Sequence, residues 1–301
     1  MSKQIDDRLG GPVQASSRID DALAAAMSRI GGPDAPAGLV AAMRHAVYPG
    51  GARVRPRLCL AVAEACGDDQ PEVAEAAAAA IELLHCASLV HDDLPCFDDA
   101  DERRSLPSVH VAFGERLAVL AGDALIVLAF ATIGRVGEHA PTRVGPLIAA
   151  ISGGVGMPAG IVAGQAWECE SRIVLDDYQR AKTGALFTAA TIAGAVAAGA
   201  NGTAWSRLGS CLGEAYQVAD DIRDVCAESA EIGKPIGRDA ALGRPNAVGS
   251  LGLAGAVARL EGLVANAIDS IPVCAGAPRL RDLVLAEAQR LRPRKLERRV
   301  A

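Results

Sequence analysis

Two short stretches concentrate the residues able to do chemistry: "HDDLPCFDDADERR" at 91–104 and "ADDIRD" at 219–224. Each closes an apolar run, "IELLHCASLV" before the first and "LGEAYQV" before the second. On a helix, residues three and four apart share a face, so Gln217, Asp220, Asp221 and Asp224 point broadly the same way. Like charges one turn apart repel by a few tenths of a kcal/mol in water and by more when partly buried. A cation between them removes the conflict. Oxygen ligands alone suit a hard cation, and Mg²⁺ takes one or two carboxylates, several waters and substrate phosphates. In the first cluster Pro95 interrupts the helix just past Asp92 and Asp93, and a bulge there brings Asp98 back towards Asp92. The plain alternative is a solvated helix end, but two such clusters on apolar helices argue for a shared ligand. A calcium loop needs a central Gly and a terminal Glu, which neither cluster supplies.

Basic residues accompany the acids. "GGARVRPR" sets Arg53 and Arg55 at a Gly-Gly turn, Arg103 and Arg104 follow the first cluster, "AKTGALF" carries Lys182 and Thr183, and "EIGKPIGRD" carries Lys234. Positions 85, 88 and 92 fall on one helical stripe, which aims His85 at the same place; a satisfied core histidine is the alternative. Guanidinium groups near metal-loaded carboxylates describe a phosphate site. No Walker loop or GxGxxG is present, so a nucleotide has no obvious cradle. What remains is a small, highly charged phosphate on an otherwise apolar molecule.

The elements that must hold these residues read as helices. Half of the 301 residues are apolar and only 3% are aromatic, with Ala-rich runs such as "EVAEAAAAAIELL" and "TAATIAGAVAAGA". Helices are expected over 18–30, 37–47, from about Arg55 to "CGDDQP", 71–93, 112–137, 143–166, 176–199, 203–226, 252–270 and 278–291. No strand pattern stands out. Residues 1–17 are expected to be loosely attached and 18–301 to form one all-α domain, a large helical bundle around an apolar cavity. A net charge of −6 and a pI near 5.5 argue against nucleic acid as partner. Eight scattered cysteines without a CxxC, and no secretory start, point to reduced thiols in the cytoplasm. Residues 117–134 carry Gly122 and Asp123, and 184–200 is short and only weakly apolar, so no membrane span is expected.

In order, "GGARVRP", "LLHCASLVHDDLPCFDDADERR", "AGDAL", "GQAWE", "AKTGALF", "YQVADDIRD" and "GKPIGRD" resemble the trans-isoprenyl diphosphate synthases (polyprenyl synthetases) over about residues 20–295. "GRDAALGRPNAV" looks most like the geranylgeranyl diphosphate synthases of carotenoid and bacteriochlorophyll pathways in phototrophic bacteria. The resemblance implies the isoprenoid synthase fold, a homodimer, and head-to-tail condensation of isopentenyl diphosphate with an allylic diphosphate. It implies about three Mg²⁺ per site, clamped between the two carboxylate clusters. Asp92 and Asp98 match metal ligands, with Asp93 beside them; Asp220 matches the ligand on the opposite wall, with Asp221 and Asp224 in support. Arg103, Lys182 and Lys234 match contacts to the allylic diphosphate. Arg55, His85 and Arg104, with Arg53 on the same turn, match the isopentenyl diphosphate site. Thr183 and Gln217 match polar groups near the reacting carbons.

This chain departs from the family pattern at three places. Ala52 stands where the family usually has Lys, Ser105-Leu106 where it has Gly-Lys, and "LGRPNAV" replaces a Lys-rich segment, with Arg244 as a possible substitute. A non-catalytic partner subunit, a farnesyl diphosphate synthase and a terpene cyclase are therefore kept as alternatives. Positions four and five before Asp92 are Ser88 and Ala87, both small, which predicts a deep pocket and a geranylgeranyl product; Leu83, Leu84 and Phe130 are candidates for its floor.

Overall fold

Pro71 opens α4 (Pro71–Asp92), where its missing N–H leaves nothing unsatisfied and its fixed φ suits a first turn. Ala77, Ala78, Ala79 and Ala80 follow and are fully buried, so neighbouring helices come close to the α4 backbone. The computed structural model describes residues 12–48, 50–171, 175–226 and 246–291. Within it α4 packs against α1 (Pro12–Met27), α2 (Ala37–Val47), α3 (Val54–Ala65), α6 (Glu115–Arg135) and α10 (Ala185–Ala197). Helix α10 is the second central element and also touches α7 (Pro141–Val155) and α11 (Ser206–Cys226). It is gripped tightly. A Cβ at Gly194 would lie 2.2 Å from the Cys59 carbonyl oxygen of α3, and one at Gly209 of α11 would lie 2.5 Å from the Thr188 Cα. Only a missing side chain allows backbones this close.

Around this centre, α12 (Ala247–Asp269) covers α11, and α13 (Ala277–Leu291) lies on α3 and α11. Short helices α5 (Val109–Phe113) and α9 (Leu175–Gln179) lead into longer ones, and the short α8 (Ile161–Ala166) precedes α9. The all-α expectation holds, with breaks at particular residues. Helix α1 starts at Pro12, so residues 12–17, expected to be loose, are helical. The expected 112–137 helix divides at Gly114 (φ 86°) into α5 and α6. The expected 143–166 helix divides around "GMPAG" into α7 and α8. The expected 176–199 helix holds a π turn, Arg180–Gly184, between α9 and α10.

One element was not anticipated: a hairpin of β1 (Glu102–Arg103) and β2 (Leu106–Pro107). Arg104 (φ 56°) and Ser105 (φ 62°) form its two-residue turn, both in the left-handed region. By length and composition alone three helices could cross a membrane: α4, the run Glu115–Glu138, and α12. The α4 window is 72% buried among other helices, which is the placement expected of an interior bundle helix. Two cavities stand out. One of about 460 Å³ lies between α3, α10, α11, α12 and α13, and one of about 410 Å³ lies under the hairpin beside Asp93 and Arg103. Neither is lined by Ala87, Ser88 or Asp92, so neither is the apolar chamber expected below the first acidic cluster.

Candidate diphosphate and metal site

After α4 ends, the chain folds back on itself. The Asp98 N–H donates to the Asp92 carbonyl (2.9 Å), and the Ala100 N–H donates to the Asp93 carbonyl (3.1 Å). This is the bulge expected at Pro95, and it puts Asp98 beside Asp92. Oxygens of Asp92, Asp98 and Glu168 lie within 4.8 Å of one another, close enough to share one ion. All three are half-buried, and all their donors are carboxylate oxygens, the set that a hard divalent cation takes. Mg²⁺ fits these residues by donor chemistry.

Lys182 points into the same group. Its Nζ lies 3.3 Å from Asp92 Oδ1 and also donates to Glu168 Oε1. The next residue, Thr183, donates through Oγ1 to Gln217 Oε1 (2.9 Å), and Gln217 Nε2 donates to Asp221 Oδ1 (3.0 Å). Adjacent Cα atoms are about 3.8 Å apart, so one π turn touches both acidic helices. Such turns recur at functional sites because the extra residue re-aims side chains. Asp220 is exposed and pairs with Arg223 (3.0 Å). Asp224 is half-buried on the same helix face.

Two of the supporting carboxylates are tied to protein groups. Asp93 is buried and takes a two-pronged contact from Arg103, whose Nε lies 3.0 Å from Oδ1 and 3.1 Å from Oδ2. Burial opposes the Arg103 charge, but the Asp93 contacts outweigh it and raise the guanidinium's pKa. Asp221 is also buried and accepts from the Ala247 N–H (2.7 Å), which fixes the start of α12. These two carboxylates orient their neighbours rather than open onto the Asp92 group. Arg53, expected among the substrate contacts, is likewise tied to protein groups. Its guanidinium donates to Glu82 (2.5 Å) and to the Val47 carbonyl (2.9 Å), and its side chain is only 7% exposed.

Arg55 differs. Its Nη1 lies 3.4 Å from His85 Nε2, and its Nε is buried without a hydrogen-bond partner. Burial lowers its pKa, and Arg104 pushes the same way. Burial also holds His85 well below its ordinary pKa, helped by Arg55 and Arg104, so the imidazole is neutral and its Nε2 accepts. Arg104 lies against Gly51: a Cβ there would meet its guanidinium at 2.8 Å, as one at Gly50 would meet that of Arg53 at 2.4 Å. The Gly-Gly turn therefore leaves room for two guanidinium groups. Positions 85, 88 and 92 of α4 are half-buried, while 83, 84, 86, 87 and 90 are buried. Leu89 and His91 are half-buried as well, so the half-buried side of α4 takes in 85, 88, 89, 91 and 92. Ser88 belongs to it, whereas Ala87, Leu83 and Leu84 lie in the packed core and Phe130 at its edge.

Lys234 and Arg244 lie outside the described residues. Glu168 was given no role by sequence reasoning, although "GQAWE" contains it. It accepts from Tyr178 Oη (2.6 Å) of α9, with Gln165 Nε2 at 3.5 Å, so three side chains fix its carboxylate.

Known proteins bear on this arrangement directly. A geranylgeranyl diphosphate synthase of Cereibacter sphaeroides is 52% identical over 94% of this chain and 98% of its own length. One of Rhodobacter capsulatus is 49% identical over 91% and 95%. Among solved structures, a geranyltransferase from Legionella pneumophila superposes with a TM-score of 0.79 at 26% identity, covering 93% of this chain and 95% of its own. An FPP/GFPP synthase from Zymomonas mobilis gives 0.76 at 32% identity, over 92% and 98%. The polyprenyl synthetase family matches residues 36–267, and the chain belongs to that family.

Proposed function

We propose that this protein is a Mg²⁺-dependent prenyltransferase that condenses isopentenyl diphosphate with an allylic diphosphate and releases geranylgeranyl diphosphate. The observation that carries the reading is the shared approach of Asp92, Asp98 and Glu168 beside Lys182, Arg103 and the Arg55–His85–Arg104 group. The two relatives named above, which this chain matches over nearly its whole length, carry the product assignment. The allylic C–O bond breaks, the isopentenyl double bond attacks the resulting cation to form a C–C bond, and a proton leaves the new chain. Asp92, Asp98 and Glu168 on one wall, and Asp220 with Asp224 on the other, would hold the metal, three ions as the family resemblance implies. Bound there, Mg²⁺ supplies Lewis-acid stabilisation of the departing diphosphate.

The chain's own residues do the rest. Lys182 and Arg103 meet the negative charge that grows on the leaving group. Arg55 and Arg104 bind the isopentenyl diphosphate, and neutral His85 orients Arg55. The α4 stripe above Ser88 receives the prenyl tail among apolar helices, where water cannot quench the cation. Ser88 donates its hydroxyl to the His85 carbonyl (2.8 Å), which satisfies that hydroxyl within the helix. A homodimer built on the exposed apolar face of α6, with Val119, Leu120 and Val127, completes the assembly. Cys59, Cys66, Cys86, Cys96, Cys169, Cys211 and Cys274 are free thiols, which suits a reducing cytoplasm. Incubating the purified protein with Mg²⁺, isopentenyl diphosphate and each of dimethylallyl, geranyl and farnesyl diphosphate tests this. A C20 product supports it; no product at micromolar enzyme overturns it in favour of a partner subunit.

A further inference from the structure

The guanidinium groups near the site are neutralised in different ways. Arg53 pairs with Glu82, Arg57 with Glu287 at 2.9 Å, and Arg103 with Asp93. Among the described residues no carboxylate lies within 4.0 Å of the Arg55 guanidinium. What supports it is a ring: Arg55 Cζ sits 4.6 Å from the centroid of Phe187. Phe187 is 1% exposed on α10, and its ring in turn meets Tyr216 of α11 at 5.1 Å with planes inclined by 39°.

The chemistry of this choice is specific. A carboxylate would hold Arg55 more strongly, but it would occupy the N–H fork and compete with an incoming diphosphate. An aromatic face attracts the cation through its quadrupole and accepts no strong hydrogen bond, so apart from the His85 contact at 3.4 Å the fork is left to the substrate. We propose that Phe187 is a positioning residue for the isopentenyl diphosphate, holding the Arg55 guanidinium in place for the substrate through its ring face. This rests on the reading above that Arg55 contacts that diphosphate. Phe187 also lines the pocket between α3, α10, α11, α12 and α13, together with Leu58, Tyr216 and Val284.

Steady-state kinetics on the full chain test it, varying isopentenyl diphosphate at saturating allylic diphosphate and Mg²⁺, and then the reverse. Phe187→Leu, which fills the space without a π face, should raise the KM for isopentenyl diphosphate about five- to tenfold. A tenfold change corresponds to about 1.4 kcal/mol, within the ~0.5–2 kcal/mol of such contacts. The kcat and the allylic KM should stay within about twofold. Phe187→Tyr, which keeps the ring, should restore the wild-type KM. Adding Phe187→Leu to Arg55→Leu should raise the KM no further, since the two residues act as one. Phe187→Met replaces the Leu variant should that one not fold. An unchanged isopentenyl KM in Phe187→Leu, with a raised one in Arg55→Leu, overturns the role of the ring alone. Equal losses in kcat and both KM values, shared by Phe187→Tyr, overturn it in favour of plain packing. An unchanged KM in Arg55→Leu overturns the diphosphate assignment itself.

Discussion

Replacing Ser88 by Phe should shorten the product from C20 to C15. Ser88 lies four residues before Asp92, about 6 Å deeper along α4 at 1.5 Å per residue, on the half-buried stripe with His85 and Asp92. Its side chain is small, and its hydroxyl is turned back to the His85 carbonyl at 2.8 Å. A benzyl group there stands in the path of the growing chain. Displacing it into packed surroundings costs about 1–3 kcal/mol, which at 1.4 kcal/mol per decade slows the last addition by roughly 5- to 140-fold. The earlier additions, completed above that level, keep their rate. Purified variant, isopentenyl diphosphate and geranyl diphosphate are incubated, the product is dephosphorylated, and its chain length is read by reversed-phase chromatography. Farnesol should dominate, and Ser88→Ala should still yield geranylgeraniol. Ala87→Phe is expected to lose stability as well as chain length, because Ala87 is 1% exposed in the core. A wild-type C20 distribution at wild-type rate from Ser88→Phe refutes the pocket reasoning.

Three further outcomes follow from the geometry. Ser105→Gly should stabilise the protein by about 0.5–1 kcal/mol, read by denaturant unfolding, since Ser105 holds φ 62° where Gly is unstrained. Glu168→Gln should raise the Mg²⁺ needed for half-maximal rate by about 10- to 100-fold, measured by metal titration of activity, because one carboxylate of the trio loses its charge. The pH dependence of stability should carry a His85 signature. Its folded pKa is depressed, so below the ordinary value of 6.5 the unfolded chain binds more protons than the folded one. The stability from a neutral His85 is complete above pH 6.5 and is lost as pH falls below it, at up to about 1.4 kcal/mol per pH unit. His85→Gln should flatten that part of the curve, as followed by urea midpoints; an unchanged slope contradicts a buried neutral imidazole.

Periodicity and punctuation made the helical architecture readable. The 37–47 helix matches α2, and the 71–93 helix matches α4 to within one residue, because Pro71 and Pro95 bracket it. The hairpin at 102–107 was invisible for a physical reason. Strands of two residues carry no alternation, and Arg104-Ser105 lacks the Asn or Gly that ordinarily marks such a turn. The π turn at 180–184 leaves no trace in composition, since it depends on how α9 and α10 are held by α8 and α11. In the site, residue type located the acids and bases, but only packing decides which way a carboxylate faces. Asp92 and Asp93 are neighbours in sequence. One joins Asp98 and Glu168, the other is held by Arg103. Arg53 and Arg55 divide likewise, the first tied to Glu82 and the second left facing His85 and Phe187. Glu168 was legible in "GQAWE" as a motif and not as a ligand, because no spacing rule links it to Asp92.

The central claim is that carboxylates from both acidic helices hold divalent ions around one diphosphate. Crystals grown with Mn²⁺ and inorganic pyrophosphate, with data collected at the manganese edge, test it most directly. Anomalous peaks should appear against Asp92, Asp98 and Glu168 on one side and against Asp220 on the other, with pyrophosphate oxygens between them. Peaks confined to one helix, or none at these residues while pyrophosphate is bound elsewhere, would contradict the account.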